Sequence, residues 1–334
     1  MKRRDFLRSS ILGTAGLLGT SALRPVYAEA GFEIKAEPMY DVPATQISDH
    51  CYYILAKDPE PSPENHAFFN NPGFIVTQKG VVVIDTGSSV QIGGMVIRQI
   101  KKVTDKPIIM VINTHYHGDH FLGNHAFVNY DPNMPIYAHP AAIENIKNGG
   151  GEFWYNFMQR LSNNAISGTH ITLPNKTLKG GETFDFGDVS IKVHQFGKAH
   201  TESDLIMEVH EKEGKKVTYI GDVAMRRIAN MSDGSFAGTI ETMKKCRALG
   251  SDYYVGGHGP YDNVALIDDM QKFCEVIWQN AQKYYDEGLS DFEIKPIIMK
   301  DPFMQKVVSK WPGYKSTLGK FVSVAVQEVE NAMF

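Results

Sequence analysis

Cysteine is scarce in this chain: three residues in 334, Cys51, Cys246 and Cys274. An odd number cannot complete a disulfide framework, and none has the close spacing of a cysteine metal site. Buried free thiols are the expected reading. An excess of charge of one sign is lacking too, with 34 basic residues against 38 acidic ones and a formal charge of −4. That balance leaves no broad basic footprint for nucleic acid. Long apolar runs are missing after the N-terminus, where no segment approaches the roughly 20 residues that cross a bilayer. No lasting membrane attachment is expected. What is present is ample core material, 43% hydrophobic residues, enough for a large core without covalent staples.

The N-terminus has its own pattern. Lys2-Arg-Arg-Asp-Phe-Leu-Arg8 precedes the mild apolar stretch Ser9–Thr20, and Val26-Tyr-Ala28 offers a small-residue cleavage site. This reads as a twin-arginine export signal. Its partner would be the twin-arginine export machinery, and its destination the periplasm, with the folded chain loaded with metal before export. An uncleaved anchor is the alternative. Cleavage after Ala28 removes five basic residues and one acidic residue, taking the formal charge from −4 to −8.

The densest chemistry lies in Thr114-His115-Tyr116-His117-Gly118-Asp119-His120. It follows the apolar run Pro107–Ile112, which reads as a buried, parallel strand. The motif therefore falls on a loop at a strand's C-terminal end, where α/β folds place their sites. Imidazole and carboxylate suit a borderline metal such as zinc. His115 and His117 are spaced to turn both rings to one metal, and Asp119 and His120 can face a second.

On these residues the chain resembles the metallo-β-lactamase-fold hydrolase superfamily, whose signature is His-x-His-x-Asp-His followed by three distant ligands. His200 in Gly197–Asp204, Asp222 in Tyr219-Ile-Gly-Asp222 and His258 in Val255–Pro260 match the later motifs in order. Asp85, in Val81-Val-Val-Ile-Asp85-Thr-Gly-Ser-Ser89, matches the aspartate that supports the metal loop. The resemblance covers residues 45 to 262. It implies an αββα four-layer sandwich with the site at its mouth. It also implies His115, His117 and His200 on one metal, Asp119, His120 and His258 on the other, Asp222 bridging, and Asp85 orienting a ligand. The cofactor would be two zinc ions per chain, with iron or manganese as alternatives. A water shared by two cations becomes hydroxide near neutral pH, and Asp119 could orient it or pass a proton to the leaving group. The expected reaction is hydrolysis of an ester, thioester, lactone, amide or phosphoester of a small molecule.

Departures from the family narrow this. Asp222 stands where one large β-lactamase subclass carries cysteine, which argues against a dedicated β-lactamase. Met225 stands where quorum-sensing lactonases of this fold carry tyrosine. The ligand set resembles that of glyoxalase II-type thioesterases, but their glutathione-binding basic cluster is not evident. The pattern is most similar to exported members linked to sulfur or quinoprotein oxidation. An iron-dependent redox enzyme and a non-catalytic metal-binding accessory protein are the other readings; no flavodoxin-like or rhodanese-like segment accompanies the domain.

The rest of the chain reads as a signal over 1–28, a catalytic domain over 29–262 and a helical extension over 263–334 packed on the same domain. Strands are expected within 32–56, 73–85, 170–195, 216–222 and 251–258, and helices over 90–103, 139–148 and 237–249. The proline-rich loop 57–72 is either a solvated connection or a flap that brings His66, Phe68 and Phe69 to substrate. Segment 149–161 reads as a glycine-hinged helix, buried on the sandwich or lining an apolar pocket with Trp154 and Phe157. His139 is expected to satisfy a backbone group, His125 to cap or to stand behind the ligands, and His170, His194 and His210 to lie in strands without partners. No oligomeric state follows from the sequence.

Overall fold

The computed structural model describes residues 36–228 and 231–332. Twelve strands form two sheets among them. The first sheet runs in chain order: β1 (Thr45–Gln46), β2 (Cys51–Tyr53), β3 (Gly73–Thr77), β4 (Gly80–Ile84), β5 (Ile108–Ile112), β6 (Ile136–Ala138) and β7 (Lys176–Thr177). The second joins β8 (Thr183–Asp185), β9 (Val189–His194), β10 (Ile206–Glu211), β11 (Lys216–Gly221) and β12 (Tyr253–Gly256). The first four strands and β8 to β11 pair antiparallel, while β4–β5–β6–β7 and β11–β12 pair parallel. Every residue of β4, Gly-Val-Val-Val-Ile, is buried, as a strand covered on both faces requires.

Alternation along these strands divides their side chains between two interiors. Val82, Ile84 and Ile112 meet Ile191, Met207 and Val217 between the sheets. Val81, Val83 and Phe74 turn outward onto α1 (Val90–Val103). This helix begins where Ser89 Oγ accepts from Ile92 N at 3.2 Å, ends with Lys101 and Lys102, and buries Ile92, Met95, Val96 and Ile100 on the sheet. Charge and cap thus agree with the helix dipole. The outer face of the second sheet carries α6 (Phe236–Leu249) and the 22-residue α7 (Ala265–Asp286), whose Phe273, Cys274 and Ile277 share a core with Ile206, Ile220 and Tyr254. Helix, sheet, sheet, helix: this is the expected αββα sandwich.

The C-terminal helices α8 (Asp291–Ile298), α9 (Pro302–Lys306) and α10 (Tyr314–Asn331) join that same outer core through Ile294, Met304, Leu318 and Val322. Two short helices, α2 (Gly118–Phe121) and α3 (Asn124–Tyr130), follow β5; α4 (Pro140–Asn145) and α5 (Gly151–Leu161) follow β6. Between the last two lies a π-helical turn, Ile146–Gly150, where Gly149 takes φ 105°. A side chain there would be strained, so the glycine run does make the bend that the sequence suggests.

Several expectations fall differently. Residues 170–175 form a loop, not a strand, and His170 N donates to His125 Nδ1 at 3.2 Å. His194 and His210 are not partnerless: both reach Glu208, at 2.8 and 3.0 Å. Register explains it, because Ile206 pairs with His194 and alternation turns Glu208 and His210 to one face. All three cysteines are buried and free. No helix among the described residues is long and apolar enough to cross a membrane. The export signal at 1–28 lies outside the described residues.

Candidate metal centre

Asp85, the His115–His120 loop, Asp222 and His258 follow the C-terminal ends of β4, β5, β11 and β12, and His200 comes from the β9–β10 connection. Two backbone bonds close the mouth: Asn71 N to Gly257 O at 2.7 Å, and Leu205 N to Thr114 O at 2.9 Å. The seven expected donors converge into two buried groups, His115–His117–His200–Asp222 and Asp119–His120–Asp222–His258. Within each group the donor atoms lie within 4.8 Å of one another, and Asp222 belongs to both.

The outer edges of the imidazoles are held by the protein. Asp85 Oδ2 lies 2.8 Å from His120 Nδ1, and Asp85 also accepts from Thr114 N and Oγ1 at 2.8 and 2.9 Å. Asp85 adopts φ 58°, a left-handed backbone unusual for a non-glycine residue and found where surrounding contacts hold it in place. His115 Nδ1 lies 3.0 Å from Thr114 Oγ1, His258 Nδ1 donates to Phe69 O at 2.7 Å, and His117 Nε2 meets Asp233 Oδ2 at 3.0 Å. Each contact fixes a ring and leaves the opposite nitrogen facing the cluster. Asp233 was not legible in the sequence, since it arrives from the segment before α6.

Electrostatics sort these groups. Burial, followed by the nearby His120 and His117 rings, holds His115 well below the ordinary histidine value. Burial and then His117 bring His200 down to about 3. Both are thereby kept neutral, the form that ligates. Burial opposes ionisation of Asp119 and Asp222, yet the imidazoles of His120 and His258 outweigh it and hold both carboxyls well below the usual range. Burial also disfavours a charged His120, but Asp119, Asp222 and Asp85 drive its pKa well upward. Three buried carboxylates thus call for positive charge at this point.

A metal fits. His115 Nε2, His120 Nε2 and Asp222 Oδ1 are buried without a hydrogen-bond partner among the described residues. Orphaned polar atoms of this kind cost about 1–3 kcal/mol each. Nitrogen and oxygen donors of this mixture are those that zinc and its neighbours accept.

The profile of the metallo-beta-lactamase superfamily matches residues 67–258, from the loop before β3 to the last histidine. This chain belongs to that superfamily. A linear primary-alkylsulfatase from Pseudomonas sp. (strain ATCC 19151) is 34% identical over 80 residues, 23% of this chain but 15% of the relative's length. Among solved structures, a metallo-beta-lactamase from Pontibacter korlensis superposes with TM-score 0.54 at 18% identity, covering 70% of this chain and 98% of that one. The DIM-1 metallo-beta-lactamase exposed to ceftazidime gives 0.54 at 14%, covering 72% and 99%. Helices α7 to α10 follow the stretch that the superfamily profile matches.

A cavity of about 450 Å³ opens over the two donor groups. Trp154 and Phe157 line it, as the sequence suggested, and Trp154 packs 4.5 Å from the His117 ring. Loop 57–72 does border the cavity, through Glu60, Pro61 and Phe69, but of the three residues expected from it only Phe69 takes part, stacking at 5.3 Å on His258. Phe68 is 3% exposed and belongs to the core beneath α1. His66 does not line the cavity; its ring meets Tyr40 edge-on. The two adjacent rings join different apolar clusters, Phe68 the one beneath α1 and Phe69 the one with Tyr116 and Phe121, so only Phe69 faces the site. Sequence reading missed Arg227, Asp233 and Lys320 in the lining.

Proposed function

We propose that this protein is an exported dinuclear zinc hydrolase that cleaves an ester, thioester, lactone or amide bond in a small, partly apolar substrate. The observation that carries this reading is the convergence of seven donors into two groups sharing Asp222. His115, His117 and His200 would hold one ion, Asp119, His120 and His258 the other, and Asp222 both. Bound there, divalent cations supply Lewis acidity to a carbonyl or related oxygen and acidify a water toward neutral pH. The name of the alkylsulfatase relative adds sulfate esters to the bonds worth testing.

The chain's own residues do the rest. Asp119 Oδ2 lies 3.3 Å from both His120 Nε2 and His258 Nε2, ionised and aimed at the cavity. It is placed to take a proton from a nucleophilic water and return it to the leaving group. Asp85 and Asp233 fix the rings of His120 and His117, so the donor geometry exists before substrate arrives. Trp154, Phe157 and Phe69 make the walls apolar, which excludes water and favours a substrate with hydrocarbon character.

Elemental analysis of the purified protein tests the reading. Close to two zinc ions per chain, with turnover of chromogenic esters that collapses in Asp222→Ala, is the expected result. Iron in place of zinc would refute it in favour of oxygen or sulfur redox chemistry, and no tightly bound metal after reconstitution would refute both. The twin-arginine signal supports periplasmic export; N-terminal sequencing of protein from the periplasm should begin at Glu29, and a retained Lys2-Arg-Arg-Asp5 would overturn cleavage.

A further inference from the structure

Arginines 226 and 227 are neighbours with different supply. Arg226 is satisfied twice, by Asp262 at 2.7 Å and Asp269 at 2.8 Å. Arg227, only 8% exposed, lines the cavity. Its sole carboxylate partner among the described residues is Glu60, at 3.1 Å from Nη2, on a side chain that is 62% exposed. Its Nη1 lies 3.0 Å from His258 Nδ1, but that nitrogen must donate its hydrogen to Phe69 O and has no lone pair to give. Its Nε is buried without a hydrogen-bond partner among the described residues. The guanidinium carbon Cζ lies over the Phe69 ring, 5.4 Å from its centre, which holds the group in place. A guanidinium carries five N–H donors and no acceptor, so this one is short of acceptors beside the metal groups. Lys320 of α10 reaches the same cavity and makes no ion pair among the described residues. Trp154, Phe157, Met158 and Leu161 of α5 line the same cavity with apolar surface.

We infer that Arg227 and Lys320 form an anion subsite, so that the substrate carries an anionic oxygen group next to an apolar chain. This inference rests on the hydrolase reading above but concerns recognition. Glu60 marks where a carboxylate meets the fork, and a substrate anion would take that position while its chain lies along α5. Lys320 belongs to a helix beyond the superfamily match, so the C-terminal helices supply selectivity to a centre built by the rest. A carboxylate and a sulfate share the chemistry that a guanidinium recognises.

Binding, not turnover, tests this, so the result stands apart from whether the protein hydrolyses anything. Isothermal titration of the metal-loaded protein with octanoate, octyl sulfate and octanamide compares ligands of eight carbons each with different heads. The anions should bind at least about 10-fold tighter than the amide. Arg227→Gln should weaken anion binding roughly 30-fold or more, as for loss of one partner in a buried charge pair, and leave octanamide unchanged. Lys320→Gln, at an exposed position whose loss cannot unfold the chain, should weaken the anions about 2- to 5-fold. Preference for octyl sulfate would point to sulfate esters, and preference for octanoate to carboxylates. Equal binding of amide and anions by the unaltered protein overturns the inference. So does undiminished octanoate affinity in Arg227→Gln, which would mean that the carboxylate goes to the metals alone.

Discussion

Gly257 is where a single methyl group should disable the centre without unfolding the protein. A Cβ on Gly257 would lie 2.1 Å from Asp222 Oδ1 and 2.8 Å from His120 Cε1. The backbone cannot retreat, because Gly257 N donates to Gly221 O at 2.8 Å and Gly257 O accepts from Asn71 N at 2.7 Å. The carboxylate shared by both donor groups must therefore move, by ~1 Å or more to regain contact distance. Overpacking of this kind costs about 1–3 kcal/mol of stability, which a large core can absorb. A displacement of ~1 Å at a reacting group costs on the order of 100-fold in turnover. Gly259→Ala is the control. That position has φ 76° but nothing within 4 Å of the added Cβ, so it should lose about 1–2 kcal/mol through backbone strain and keep its metals. Competition against a chromophoric chelator, with urea unfolding of both variants, separates the two effects. Two metals bound at unaltered affinity in Gly257→Ala would refute the claim that Asp222 is held in place from this side.

Asp233→Asn should weaken metal binding about 10- to 100-fold by freeing the His117 ring; unchanged chelator competition would show that Asp233 does not orient it. His139→Ala removes the acceptor that caps α4 at Ala141 N, 3.3 Å away. It should cost about 0.5–2 kcal/mol and leave metal content intact, while metal loss would mean the ligand set is incomplete. Glu208 is held below the ordinary glutamate value: burial opposes its ionisation, but the hydrogen bond from His194 and the charges of His210 and Lys216 outweigh it. Because the folded pKa is depressed, its contribution is present above the unfolded value near pH 4.5 and is lost as pH falls through the folded one. Glu208→Gln should therefore cost about 1–3 kcal/mol at pH 7 and progressively less as pH falls through the depressed folded pKa; a loss that does not shrink with acidification would sink the argument.

What could be read in the sequence follows from how each residue reaches its place. The ligands sit in short motifs at strand ends, where local spacing alone aims His115, His117, Asp119 and His120, and where buried runs such as Val81–Ile84 announce the strands that carry them. The layers followed for the same reason, because alternation and helical periodicity are local. Asp233, Arg227 and Lys320 obey no spacing rule. Their roles depend on which loop folds over the mouth and on how α10 packs against the second sheet's outer core. Phe68 and Phe69 show the same limit at its smallest scale. The sequence left the 57–72 loop open between a solvated connection and a flap carrying both rings, and only the folded packing sends Phe69 onto His258 and Phe68 beneath α1. The division has a chemical meaning. Residues legible from local pattern build the centre that does the chemistry, and residues placed by tertiary packing shape the cavity that selects what enters. A screen guided by motifs alone would therefore find the reaction type and miss the substrate, whereas varying Arg227, Lys320 and the aromatic face of α5 addresses selectivity while keeping all seven donor residues.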